Sequence, residues 1–306
     1  MIAVCGECLV DLLPDGPGRY VARPGGSPAN TAVAAVRLGT PTLLLARLSR
    51  DELGQLLRRH LRENGVDLSW AVTTDDPSGV AVVTRDSAGS ASYRFALDGA
   101  ADWQWSDAEL PELPEAVVAV HAGSLALALP PGAAALEAML ARERPRRTIS
   151  IDPNLRPTLL GSLAEAVARM ERWLGVADVV KASTDDLELL YPGTDPAVVA
   201  QRWSAAGPAV VVVTAGADGV LAMVHGELLR LPAVPVHVVD TVGAGDTYSG
   251  ALLHALATSG VLGGRLDAVD PDLIRRALDY AARAAAVTCS RVGADPPRAD
   301  EVPGEA

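Results

Sequence analysis

A chain of 306 residues, about half of them apolar, is long enough to bury a sizeable core in one large domain, alone or with a small appendage. The net charge of −12 argues against nucleic acid as a partner, because neutralising phosphates needs a basic face. The apolar runs are too short to cross a bilayer and no basic stretch precedes an apolar one at the start, so a cytoplasmic protein with no membrane partner is expected. An acidic balance still allows a phosphate ligand, since the backbone dipoles at a helix start can hold an anion locally.

The first strand is predicted over 2–6. Cys5 and Cys8 form a CxxC there, but no histidine follows at zinc-finger spacing and the pair reads as buried thiols. Residues 9–23, rich in Pro and Gly, supply further strands. In Gly25-Gly-Ser-Pro-Ala-Asn30-Thr-Ala-Val-Ala-Ala-Val-Arg-Leu-Gly39, Ser27 is a favourable N-cap, Pro28 suits the first turn, and Gly39 closes a helix over 29–38. Gly25 and Gly26 leave room for a ligand against the backbone, and Asn30 offers both a donor and an acceptor, as a polyol requires. Taken alone, the segment is equally an ordinary capped helix.

A strand over 42–48 and a helix over 52–64 follow. Residues 79–97 break the rhythm, reading as two antiparallel strands joined by a Gly-containing turn. Alternation puts Tyr93 and Phe95 on one face of the second strand and Arg94 on the other. Strands over 117–122, 148–152, 179–182 and 209–214 then alternate with helices over 132–143, 162–174 and 196–206. His121, in the first of these strands, reads as a buried polar spacer or a substrate contact. Strands apolar on both faces and separated by helices imply a doubly wound α/β fold, a mainly parallel sheet covered on each side. Residues 1–8, 24–76 and 99–306 form its body, and residues 9–23 and 77–98 form a small, discontinuous β lid.

Asp240-Thr-Val-Gly243-Ala244-Gly245-Asp246-Thr precedes an amphipathic helix in which Tyr248, Ala251, Leu252, Ala255 and Leu256 repeat, closed by Gly260. The glycines therefore sit where a loop enters a helix, and their N–H groups can face an oxyanion at the positive helix end. Asp246, in the first turn, is expected to be kept ionised by the same field. A carboxylate base beside an anion hole suits phosphoryl transfer. An acid at a helix start also serves merely to stabilise the helix, so the residues alone leave both readings open. No Gly-Lys-Ser/Thr follows, which excludes a Walker A loop.

The segments 240–250 and 25–39 resemble the C-terminal and N-terminal signatures of the ribokinase-like (PfkB) carbohydrate kinases, and the likeness runs from about residue 2 to 294. It implies a ribokinase-like fold with Asp246 as base and the Gly243, Ala244 and Gly245 amides as anion hole. It further implies sugar contacts from Asp11, Gly25, Gly26 and Asn30, with Tyr93 and Phe95 on the lid. Asp152-Pro-Asn154-Leu-Arg156 resembles a stretch of fructokinase-like members and adds Asn154 and Arg156 to the substrate site.

Lys181-Ala-Ser183-Thr-Asp-Asp186 resembles the family's Asn-x-x-Glu element, which arranges Mg²⁺ and phosphate through water, with Ser183 in place of Asn and Asp186 in place of Glu. Thr214, Gly216 and Gly219 match its nucleotide-binding Thr-x-Gly-x-x-Gly. Residues 284–294 resemble the stretch that closes over adenine, where the carbonyls of Thr288, Arg291 and Gly293 would join those of Asp240 and Val242 around K⁺. The implied activity is ATP- and Mg²⁺-dependent phosphorylation of a sugar hydroxyl, with fructose as substrate and a lid-mediated homodimer. The alternatives are a 2-keto-3-deoxygluconate kinase, another sugar or nucleoside kinase of the family, and a non-catalytic sugar-binding protein. Lys181, the one lysine beside 25 arginines, is read as compositional drift.

Overall fold

The computed structural model describes residues 1–85 and 91–306, excepting the side chains of residues 85 and 91–93. Strands β1 (Ile2–Cys5), β2 (Leu9–Pro14) and β3 (Tyr20–Gly25) lead into helix α1 (Ser27–Arg37). They are followed by β4 (Thr42–Leu45), β5 (Arg47–Ser49), α2 (Glu52–Glu63), β6 (Val72–Thr74), β7 (Val80–Arg85) and β8 (Ala91–Ala96). The middle of the chain forms β9 (Ala119–Gly123), α3 (Ser124–Ala128), α4 (Gly132–Glu143), β10 (Thr148–Asp152), α5 (Leu163–Val176), β11 (Val179–Ser183), α6 (Thr184–Leu190) and α7 (Pro196–Ala205). The last third supplies β12 (Val210–Thr214), β13 (Val220–Val224), β14 (Glu227–Leu231), α8 (Ala244–Thr258) and α9 (Pro271–Cys289).

Eight strands form the main sheet in the order β14-β13-β12-β11-β10-β9-β1-β4. The strands from β4 to β12 run parallel, and β13 and β14 add an antiparallel edge. Parallel strands carry helices on both faces, which is why they are apolar throughout. On β1, Ile2 and Val4 pack with Val33 of α1 and Leu57 and Leu61 of α2. Ala3 and Cys5 point the other way, into a layer with Leu136 of α4, Trp173 of α5 and Trp203 of α7. Further along the sheet, Val210 and Val212 meet Leu252 and Leu256 of α8 and Leu278 of α9. Each such fully buried side chain contributes about 1.5–3 kcal/mol. No helix among the described residues is long and apolar enough to cross a membrane.

Three local expectations are corrected. The strand predicted over 42–48 is two strands: β4 stays in the main sheet, while β5 turns away to pair with β6. The cause is Arg47, whose buried guanidinium bonds Asp76, Glu109 and the Ala101 carbonyl, all outside the main sheet. Ser27 is not an N-cap. Gly26 holds that position at φ +102°, and a Cβ there would lie 2.6 Å from the Glu7 carbonyl oxygen. The β13–β14 hairpin and helices α3, α6 and α9 are additions to the predicted elements.

A second sheet, ordered β3-β2-β7-β8, stands apart from the first. The chain enters it at Cys8 and again at Gly79, and both N–H groups donate to the buried Asp102 carboxylate, at 2.8 and 3.2 Å. Strand order in the main sheet reverses beside β1, since β4 lies on one side of it and β9 on the other. In open α/β sheets the crevice at the carboxyl ends of strands around such a point is where ligands bind.

Helix α8 packs on α1 at Gly250. A Cβ there would sit 2.7 Å from the Thr31 carbonyl oxygen and 2.8 Å from the Ala34 methyl carbon, so only glycine admits the contact. Gly250→Ala should therefore lower stability by about 1–3 kcal/mol through overpacking, although alanine is the better helix former by about 1 kcal/mol. Urea unfolding measures this. Equal or greater stability in the variant would mean that the contact between the two helices has room for a methyl group.

Candidate active site

The crevice holds a pocket of about 720 Å³. Its walls come from the chain just past β1 (Glu7), β9 (Ser124) and β10 (Asn154), from the last residue of β11 (Ser183), and from the N-termini of α1 and α8. Asp246, in the first turn of α8, is buried at its centre. Its Oδ1 accepts from the Ser27 hydroxyl at 2.6 Å, and its Oδ2 accepts from the Asn30 side-chain amide at 2.8 Å. The Thr31 hydroxyl donates to the Asp246 carbonyl at 3.3 Å.

Burial pushes the Asp246 pKa above the usual carboxylate range, against the hydrogen bonds from Ser27 and Asn30; the charge of Asp152 raises it further and that of Lys181 lowers it. The helix field thus does not by itself decide the ionisation, and the carboxylate is a stronger proton acceptor than a surface aspartate.

The loop before α8 reaches its N-cap Gly243 in the left-handed region, φ +77°, where a Cβ would lie 2.8 Å from the Ala294 Cα. Among the described residues no protein acceptor takes the N–H of Gly243, Gly245 or Asp246, whereas Ala244 donates to the Thr241 carbonyl at 3.2 Å. Two of the three amides expected to form an anion hole are therefore free, and the Ala244 amide is turned back into the loop. Lys181 adds a cation at the same spot. Its ammonium lies so close to Gly245 that a Cβ there would be 2.8 Å from Nζ. Burial alone would lower the Lys181 pKa, but the adjoining Asp152, with Asp186 and Asp246 beyond it, raises it instead.

On the opposite wall, burial raises the Asp11 carboxyl to about 6; Arg156 opposes the shift and Asp246 adds to it. The missing Cβ of Gly25 houses the Asp11 carboxylate, so that space serves the protein and not a ligand; Gly26, not Gly25, lines the pocket. Asn154 adopts φ +39° and accepts from Arg156 Nη1 at 2.6 Å, which fixes the guanidinium in the pocket. Phe95 reaches the pocket from the second sheet, while the Tyr93 side chain lies outside the described residues. Ser183 and Asp186 cap α6 reciprocally: Asp186 Oδ2 accepts from the Ser183 N–H at 2.8 Å and hydroxyl at 2.6 Å, and Oδ1 accepts from the Leu155 N–H at 2.7 Å. That network ties α6 to the loop after β10.

Of the other predicted positions, Thr214, Gly216, Gly219, Thr288, Arg291 and Gly293 lie off the pocket wall. Thr214 ends β12, Gly216 and Gly219 follow it, and Gly219 is packed against the Leu231 carbonyl. Asp240 and Val242 do line the pocket, and the Asp240 carboxylate accepts from the N–H groups of Val242 (3.1 Å) and Gly293 (3.0 Å), stitching the two loops together. Thr288 is buried, with its hydroxyl on Thr247 and its carbonyl accepting from the Arg291 N–H. The Arg291 side chain turns outward to Glu301. His121 is a buried spacer bonded to the Ser150 hydroxyl at 3.0 Å, its pKa pushed down to about 3 by burial and Lys181.

Three groups were not foreseen. Ser27 stands three residues before Asn30, so the two share a helix face, a signal that was present. Asp152 pairs with Lys181, and Glu7 is a buried pocket carboxylate accepting from the Ala126 N–H. Asp152 opens the Asp152-Pro-Asn154-Leu-Arg156 stretch but was given no role there, and Glu7 has no sequence signal beyond its place after a strand.

The family description "pfkB family carbohydrate kinase" matches residues 1–301. The chain is 36% identical over 266 residues to a fructokinase of Rhizobium leguminosarum bv. trifolii, covering 86% of this chain and 81% of that one. It is similar to the aminoimidazole riboside kinase of Salmonella enterica complexed with aminoimidazole riboside and an ATP analog, with TM-score 0.84, 27% identity and 98% of both chains covered. It is also similar to a double mutant of fructokinase from Vibrio cholerae O395 in a form bound to fructose, ADP and potassium ion. There the TM-score is 0.83 with 27% identity, over 96% of this chain and 93% of that one.

The Asp11 environment has a measurable consequence. With a folded-state pKa of about 6, the carboxyl favours the fold fully only below its unfolded value near 4, and that contribution is lost as pH rises through 6. Asp11→Asn should therefore raise stability at pH 8, by on the order of 1–3 kcal/mol, and leave it nearly unchanged at pH 4. Thermal unfolding at the two pH values tests this; a variant less stable than the parent at pH 8 would contradict it.

Proposed function

The chain belongs to the pfkB family of carbohydrate kinases, and on that premise we propose that it moves the γ-phosphoryl group of ATP to a hydroxyl of fructose. The observation that carries this is one carboxylate, Asp246, fixed by Ser27 and Asn30 beside the free N–H groups of Gly243 and Gly245. The sugar would lie between Asp11, Gly26 and Asn30 on one side and Asn154 and Arg156 on the other, with Phe95 over it. Asp246 takes the hydroxyl proton as the new oxygen–phosphorus bond forms and the bond to ADP breaks. The Gly243 and Gly245 amides and the Lys181 ammonium hold the phosphoryl oxygens through the transfer. Closure of the second sheet over the sugar would exclude water and limit ATP hydrolysis.

Mg²⁺ would enter with the nucleotide and neutralise its phosphate charge. Such an ion is ligated chiefly by phosphate oxygens and water, and the carboxylates of Asp185 and Asp186 on the pocket wall could meet its waters. The adenosine end would extend past the pocket toward Thr214, Gly216 and Gly219. The carbonyls of Asp240, Val242, Thr288, Arg291 and Gly293 would hold K⁺, for which the stitched loops and the potassium-bound Vibrio cholerae relative are the support. The outer face of the second sheet would meet a second copy of the chain. Arg156, held in the pocket by Asn154, favours an acid sugar as the second reading, since it could clamp a carboxylate.

ADP release with ATP and Mg²⁺ against a panel of sugars, sugar acids and nucleosides tests the assignment. Fructose should lead; an acid sugar in the lead would move the assignment to Arg156. Asp246→Asn should cut turnover by at least about a hundredfold while leaving sugar binding near normal; near-normal turnover would remove Asp246 from its role. Ser27→Ala deletes a hydrogen bond that lowers the Asp246 pKa, so the acid limb of kcat should move to higher pH. An unmoved limb would separate Ser27 from the base.

A further inference from the structure

We infer that Asp152 is a positioning residue for the transfer, holding the ammonium of Lys181 at the N-terminus of α8 where the phosphoryl group sits. The inference rests on the kinase function proposed above. Strands β10 and β11 are paired with Ile151 opposite Val180, so Asp152 and Lys181, one residue on, stand abreast with both side chains on one sheet face. Lys181 Nζ donates to Asp152 Oδ2 at 2.8 Å, and both side chains are buried. The Ser249 hydroxyl of α8 reaches the same oxygen at 3.2 Å, so Asp152 touches the helix as well as the lysine. Its second oxygen, Oδ1, is buried without a hydrogen-bond partner among the described residues. A fold seeking only stability would not leave it so, because an unsatisfied buried acceptor costs about 1–3 kcal/mol.

The placement of the lysine is equally unfavourable for the empty protein. A cation beside a helix N-terminus meets the positive end of the helix dipole, and here it also meets the unpartnered N–H groups of Gly243 and Gly245. All of these groups gain from an anion at one point. Until that anion arrives, Asp152 is the group in direct contact that offsets the buried charge, with Asp186 and Asp246 as the other charges facing it. The composition then takes on a meaning that drift does not supply. Every other basic side chain in the 26 is arginine, and position 181 takes the compact ammonium. The ammonium is a compact point charge, whereas a guanidinium would spread its charge over a planar fork, and a side chain at position 245 would collide with Nζ.

Because Lys181 is the one lysine, protein labelled with [ζ-¹⁵N]lysine gives a single side-chain signal that reports this pair directly. In the parent it should titrate above the ordinary lysine range, and in Asp152→Asn at distinctly lower pH. In the same variant kcat should fall at least about tenfold, less than the roughly hundredfold or more of a deleted oxyanion donor because the lysine is loosened and not removed. In a Lys181→Met background, Asp152→Asn should change kcat by less than about twofold, since the residue acts through the lysine. The double variant removes both charges and leaves none uncompensated in the interior. If Asp152→Asn alone does not fold, Asp152→Ser, which removes the same charge, takes its place with the same two readouts in the same direction. An unchanged lysine titration, or equal losses of kcat in both backgrounds, would overturn the inference. Absence of turnover by the parent with every sugar would instead sink the kinase assignment, while the titration still decides whether Asp152 holds Lys181.

Discussion

Helices α1 and α8 are far apart in the chain, yet they lie so close that no side chain fits between them at Gly250. That approach sets the position of everything in the pocket. It brings two helix N-termini to one place, so that Ser27 and Asn30 of one helix meet Asp246 of the other at 2.6 and 2.8 Å. The Thr31 hydroxyl on the Asp246 carbonyl fixes the same contact from behind. A shift of either helix by a fraction of an ångström would misplace the carboxylate against the free amides of Gly243 and Gly245, and geometry of this kind governs rates steeply.

The pocket gathers charge that a stability-driven fold would disperse. Asp11, Asp246 and Glu7 all line it, and burial raises the pKa of each. Asp102, raised to about 7 by burial, sits behind it on the two entry points of the second sheet. Arg156 and Lys181 stand among these acids, each fixed by a neighbour, Asn154 for the one and Asp152 for the other. Such clusters mark functional sites, because substrate groups can supply the compensation that the protein withholds. An acidic chain with net charge −12 can thus hold an anionic ligand, since the local field at the α8 N-terminus is positive.

Much of the architecture was legible because parallel strands buried on both faces are written as unbroken apolar runs. The strand over 148–152 and the helix over 132–143 fall where β10 and α4 do. The break after Ala46 was not, because an arginine at the end of an apolar run gives no hint of partners as distant as Asp76 and Glu109. Around the pocket, the two glycine-bearing segments pointed to Asn30 and Asp246 separately, and their meeting is a tertiary fact. Ser27 shows the limit most clearly. Local propensity makes it a cap, but its hydroxyl serves a carboxylate 219 positions away, and Gly26 takes the cap because the Glu7 carbonyl leaves no room for a Cβ. Ser183 and Asp186 satisfy a helix start, and Asp186 also holds a loop 31 residues away in sequence, a contact that no local spacing reveals.

The account stands on Asp246 as the proton acceptor at the point where two helix ends converge. A crystal structure of the chain with fructose and a non-hydrolysable ATP analogue tests that claim most directly. A sugar hydroxyl within hydrogen-bonding distance of an Asp246 carboxylate oxygen, in line with a terminal phosphate held by the Gly243 and Gly245 amides, is the predicted result. A sugar bound elsewhere, with Asp246 still engaged only by Ser27 and Asn30, would contradict it.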